Sequence, residues 1–331
     1  MQAKGLESKH GNVDIVFDAG SIGSRMSSIS ERLSQESIAQ HQIRKRLAPL
    51  VVLINHMDSL YERAIEAITS HPRQGAAPKV GLILTTRLAN DIRVCSLTSQ
   101  LGYGLQALVL AGTVVEVVGA LSYVGDDDTR AVKWAEHKNH RHTYPPKVVD
   151  GIQATLTALG ISKPSANNNW QEAYTFMCMA KHANPFLSLL HGLRIDSSGA
   201  YYVHGPDVSD LGVMLSAQAL WHMVGFGTAG IYVAVGHCSD DALKTKLRAE
   251  TISISDHLRG LEPWFLEVIK PESPLKSQKE TSALYSEVHR IQSETERLLR
   301  ETEKIQQKTR RLKSETKKIR RTRSVHSSLS T

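Results

Sequence analysis

Aromatic residues make up only 5% of this chain. That scarcity argues against a β-sandwich, and the abundance of Ala, Leu, Ile and Val suits packed helices. Cysteine is as sparse: Cys95, Cys178 and Cys238 are scattered and odd in number. They show neither a disulfide framework nor a metal-ligand spacing, which fits a reducing compartment. The first thirty residues lack the apolar core of a secretory signal, so a cytoplasmic location is expected. There is no G-x-x-x-x-G-K-[ST] loop, no H-E-x-x-H pair and no C-x-x-C pair. No cofactor and no metal is therefore expected. No run of strands alternates with the helical segments, which excludes a Rossmann unit.

Two long apolar stretches are present, at residues 101–124 and 211–235. Gln106 and Glu116 interrupt the first, and Gln218 and His222 the second. Such groups are costly in a bilayer, so both are read as core helices and no membrane partner is expected. The second stretch contains Gly-Phe-Gly-Thr-Ala-Gly at 225–230. It matches G-x-G-x-x-G in letters but follows no strand, so these glycines read as close-packing positions.

Excess charge is missing from the body and concentrated in the tail. From residue 283 onward there are thirteen Lys and Arg against six Glu, which accounts for the whole formal net charge of +7. A near-neutral body thus precedes a basic tail.

The tail also holds the most specific pattern in the sequence. Thr295, Thr302, Thr309 and Thr316 recur every seven residues, each followed three later by Leu298, Ile305, Leu312 or Ile319. The register extends back through Ile291 and Val288 to Leu284. This is a heptad seam, and it predicts a long helix packed on another helix. The partner is read first as a second copy of the chain, with a different protein or the chain's own body as alternatives. The half that carries Glu287, Glu294, Glu296, Glu301 and Glu303 is acidic. The half from 304 to 323 has ten Lys and Arg and one acid, Glu315. Either the helices run antiparallel, or they run parallel with an anion between the basic ends. Arg310, Arg311, Lys317, Lys318, Arg320 and Arg321 are the candidate nucleic-acid contacts. With no aromatic beside them, they would touch phosphate rather than stack on bases.

The expected fold is all-α: an irregular bundle of seven or eight helices followed by a coiled-coil helix. The expected divisions are a polar, disordered N-terminus at 1–32, the bundle at 33–270 and a Pro271/Pro274 hinge at 271–282. A basic coiled-coil helix at 283–323 and a disordered tail at 324–331 complete the chain. Within the bundle, Pro49 should kink or divide the first long helix. Asp127 or Asp128 should cap the helix that carries Trp134. Asn167 to Asn169 should cap a helix that starts at Trp170, and residues 240–269 should form one final helix.

Candidate chemistry in the body is thin. Glu116 stands in an apolar helix and needs a partner, because a lone buried carboxylate costs several kcal/mol. Arg87 and Asp91, one turn apart on the preceding helix, are the expected partners, in a structural network or a functional pocket. His182 is read as a buried histidine. His137 and His140, three residues apart, would share one helical face. They could hold a metal, form a solvated or nucleic-acid-facing helix end, or take a hydrogen-bonded structural or catalytic role. Arg130 and His137 also form an R-x6-H pair, which matches the R-x4-6-H spacing of helical HEPN-type ribonucleases.

The stretch through Arg87, Glu116, Trp134 and His137, then His182 before Asn-Pro, resembles a loose group of uncharacterised bacterial all-helical proteins. These are sometimes compared with HEPN and abortive-infection families. In that group an Arg often precedes the core Glu by four residues, and here Gly112 stands in its place. The resemblance implies a helical fold. As an alternative to an interaction protein, it implies a ribonuclease or phage-defence effector with its site in the bundle.

Overall fold

Pro49 divides the first predicted helix. In the computed structural model α1 spans Ile29–Arg46 and α2 spans Ala48–Ser70, joined at Leu47. Proline cannot donate the amide hydrogen bond that would continue α1. It is tolerated in the first turn of α2, where that donor has no helical acceptor.

The structure describes residues 29–137, 146–162, 164–182, 193–196, 199–202 and 205–270. The chain divides into two compact units, residues 1–272 and 273–331, and every described residue lies in the first. The expected hinge and coiled-coil helix lie outside the described residues, as do residues 1–28.

Beyond α2, the helices are α3 (Ala76–Gln100), α4 (Gly104–Val124), α5 (Asp128–Ala135), α6 (Val148–Ala158) and α7 (Pro164–Lys181). A short antiparallel hairpin follows, β1 (Leu193–Asp196) with β2 (Gly199–Tyr202), in the register Leu193 to Tyr202. Then come α8 (Asp210–Ala234), a 3-10 turn at Val235–His237, α9 (Asp241–Gly260) and α10 (Glu262–Ile269). The described body is all-α apart from this hairpin. Among the described residues ten helices replace the expected seven or eight, because proline and turn residues divide longer segments. The expected final helix is two, separated at Leu261 with Pro263 opening the second. Asn167 to Asn169 do not cap α7 but lie inside it, since the helix already starts at Pro164. Of the two candidate caps of α5, Asp127 is the one used, accepting from the Arg130 amide at 3.0 Å. Asp128 instead accepts from the Ala77 amide at 2.7 Å and ties the start of α5 to the start of α3.

The two apolar stretches form the centre. α4 and α8 pack against each other, and α2, α3, α6, α7 and α9 surround them. Leu108, Val114 and Leu121 of α4 and Leu220, Val224 and Ile231 of α8 are fully buried. Each such side chain contributes about 1.5–3 kcal/mol when removed from water. Glycine sets how closely the helices approach. A Cβ on Gly230 would lie 2.5 Å from Leu88 Cδ2, and one on Gly227 would lie 2.8 Å from Met57 Sδ. The Tyr61 hydroxyl donates to the Gly227 carbonyl at 2.6 Å. The G-x-G-x-x-G letters therefore lie inside a helix, with two of their glycines pressed against side chains of α2, α3 and α4. Ser99 and Ser216 join α3 to α8 reciprocally, each hydroxyl donating to the other's carbonyl at 3.1 and 3.2 Å.

Candidate functional site

Glu116 points from α4 toward α7. Tyr174 and Lys181 lie seven residues apart on α7 and so present to one face of that helix. The Tyr174 hydroxyl donates to Glu116 Oε1 at 2.8 Å, and Lys181 Nζ donates to the same oxygen at 2.7 Å. Cys178, between them, also contacts the Tyr174 hydroxyl. Burial pushes the Tyr174 phenol up, and its hydrogen bonds to Cys178 and Glu116 push it further the same way. It therefore stays protonated and acts as a donor. The Glu116 and Lys181 side chains are about a third exposed (32% and 34%). At that exposure the ion pair is worth under about 1 kcal/mol. A neutral phenol and an ammonium directed at one carboxylate oxygen make a clamp between α4 and α7. The carboxylate is engaged by both.

These partners differ from the expected ones. Arg87 and Asp91 do not reach Glu116. They pair with each other at 3.4 Å on α3, where Arg87 is 56% exposed. The reason is rotational: on α3 these two residues lie on the outer side, whereas Glu116 faces α7. Gly112, one turn before Glu116, also faces α7, and a Cβ there would lie 3.4 Å from Met177 Cβ. A long arginine at that position would have to displace α7.

Arg130 has a local role. Its guanidinium pairs with Asp127 at 3.2 Å and donates to the Tyr123 carbonyl at 3.1 Å. It also sits 5.0 Å above the Tyr123 ring. It thereby fixes the turn between α4 and α5. α5 ends at Ala135, so His137 follows the helix, and its amide donates to the Trp134 carbonyl at 3.3 Å. The helical face that was to carry His137 and His140 together is thus not present at His137, and His140 lies outside the described residues. His182 is exposed, not buried, because it directly follows the last residue of α7. Arg130 and Glu116 thus have separate partners. Among the described residues, no group of three His, Cys, Asp or Glu converges at metal-binding distance.

Two histidines that drew no functional reading from the sequence stand out. His237 is 1% exposed, and its ring packs on Gly81, where a Cβ would lie 2.3 Å from it. Neither ring nitrogen has a hydrogen-bond partner among the described residues. Burial lowers its pKa; the nearby Asp126 carboxylate opposes this, and Arg73 adds to it. His222 is lowered to about 4 by burial. One turn before it on α8, Gln218 Oε1 is buried without a hydrogen-bond partner among the described residues. Both imidazoles are neutral at pH 7. The sequence carried no signal for His237, whose burial comes from a turn folding back on α3.

By length and composition, Gly104–Val124 and Asp210–His237 could each cross a bilayer. Most of each apolar window, 67% and 72%, is buried inside the body. Core helices of soluble proteins share that property, so the observation is weak evidence for a membrane. Comparison with known proteins finds no family model, no curated protein and no solved structure that matches the chain.

Proposed function

We propose that this chain is a helical interaction protein of the cytoplasm. It self-associates through the seam from Leu284 to Ile319 and contacts nucleic-acid phosphate through the basic end of that seam. The observation that carries the reading is the coincidence of a heptad repeat with the whole net charge of the chain in one segment. The described body is consistent with a scaffold. Its charged side chains join separate segments: Arg46 to Asp210 and Arg93 to Asp58, at 2.6 Å each, and Arg63 to Glu250 link helices, and Arg73 to Asp126, at 2.6 Å, links two turns. The ribonuclease alternative draws no support from the described residues, since Arg130 is engaged by Asp127 and Tyr123 and Glu116 by Tyr174 and Lys181.

The test is sedimentation of the full chain beside a variant carrying Leu298→Glu and Ile305→Glu. Charges at two d positions of a coiled coil leave carboxylates in an apolar seam. The wild type should sediment as an oligomer and the variant as a smaller species that keeps the thermal transition of the body. Equal masses for the two would overturn the reading.

A further inference from the structure

We propose that the outer face of α3 is a second self-association surface, on which another copy of the chain lays its own α3 antiparallel. It goes beyond the tail seam because it is built entirely from the described body. Ile83, Val94 and Leu97 are 58%, 50% and 53% exposed, although each is a large aliphatic. With Arg87 and Asn90, also exposed, they recur at steps of four, three, four and three residues, which is the stripe by which one helix packs on another. Among the described residues, other helices with exposed large aliphatics carry one each, apart from Leu33 and Ile38 on α1. Single ones need no explanation; three on one stripe do.

The order of residues along the stripe says what covers it. A two-fold axis at Asn90 sets Ile83 against Leu97 of the second copy, and Leu97 against its Ile83. Val94 then meets the aliphatic part of Arg87 and Thr86 from the opposite direction. The charges fit the same arrangement. Arg87 and Asp91 already pair within one helix. Antiparallel docking brings the two pairs together head to tail, so each guanidinium sees both carboxylates. Parallel docking in register would set Arg87 against Arg87 and Asp91 against Asp91, which is repulsive. A self-complementary stripe of this kind is what a two-fold interface requires.

From Ile83 to Leu97 the stripe runs about 21 Å. One helix pair of that length falls short of a standard stable interface. It is expected to be weak between free bodies and to close once copies are held together, when the local concentration reaches the millimolar range.

The test uses the full chain with Cys178→Ser, which removes the one native cysteine that is not buried. Into it is placed either Asn90→Cys, on the proposed axis, or Ile252→Cys, a comparably exposed site on α9 (51%). Under mild oxidation Asn90→Cys should give a covalent dimer at least ten times faster than Ile252→Cys. Adding Ile83→Asp should abolish that advantage while leaving the melting temperature within a few degrees, as surface changes generally do. Equal rates at the two cysteines, no crosslink at Asn90, or an advantage that survives Ile83→Asp would each overturn the inference. Sedimentation of the parent chain separates this failure from that of the tail seam. An oligomer without the Asn90 crosslink sinks the α3 surface alone, and a monomeric parent sinks the seam whatever Asn90 does.

Discussion

Glu116 illustrates how far a single residue can be read. The need for a partner follows from its apolar surroundings; the partner's identity does not, because it depends on which helix lies opposite. Tyr174 and Lys181 supply it, so a double-mutant cycle between Glu116→Gln and Tyr174→Phe should show coupling of about 0.5–1.5 kcal/mol in chemical denaturation. The same cycle with Arg87→Ala should be additive, and measurable coupling there would contradict the geometry. His237 makes a second prediction. Its folded pKa lies below the unfolded value, so the unfolded chain binds the proton more readily as pH falls. Its contribution to stability is therefore present above about pH 6.5 and lost as pH falls through the lower folded pKa. His222 adds to that loss, down to about pH 4. Replacing His237 with Phe should flatten part of the acid decline in melting temperature between pH 7 and 5. An unchanged slope would show that the imidazole reaches water or a partner.

Among the elements, α8 joins most of the core through its glycines. Gly225→Ala and Gly230→Ala lie in the same six-residue motif but should act in opposite directions. At Gly225 a Cβ meets only Leu258, at 3.7 Å. Alanine there should be neutral or stabilise by up to about 1 kcal/mol through helix propensity. At Gly230 the Cβ would press on Leu88 and, at 2.8 Å, on the Tyr61 hydroxyl, and overpacking of that kind costs about 1–3 kcal/mol. Thermal melts of the two variants check the contrast, and equal effects would refute the close-packing role. At this scale much was legible. The long apolar stretches, the break at Pro49 and the cap at Asp127 follow from local rules. The division of the last helix at Leu261 and the early start of α7 at Pro164 were both missed by the sequence reading, although the local signal was present. Proline favours the first turn of a helix, and the two prolines mark these starts.

The whole molecule is a near-neutral helical body and a basic tail, and its remaining prediction concerns that asymmetry. Neutralising Arg310, Arg311, Lys317, Lys318, Arg320 and Arg321 should weaken nucleic-acid binding for all sequences alike. The log–log salt slope should drop by roughly 0.7 to 0.9 per lost phosphate contact. Filter binding across a salt series reads this directly. If DNA and RNA both fail to bind the intact oligomer at low salt, the basic half is better explained as the complement of the acidic half in an antiparallel coil.

The sequence by itself determined the helical class, because apolar periodicity and the scarcity of aromatics act locally and at every position. It determined the heptad register and the location of charge for the same reason. Only the tertiary structure decided which faces meet: that Glu116 looks at α7, that Arg87 and Asp91 look outward, and that His237 is folded onto Gly81. A helix fixes the angle between its own residues. The rotation of one helix against its neighbours is set by packing across distant segments, and no local pattern records it.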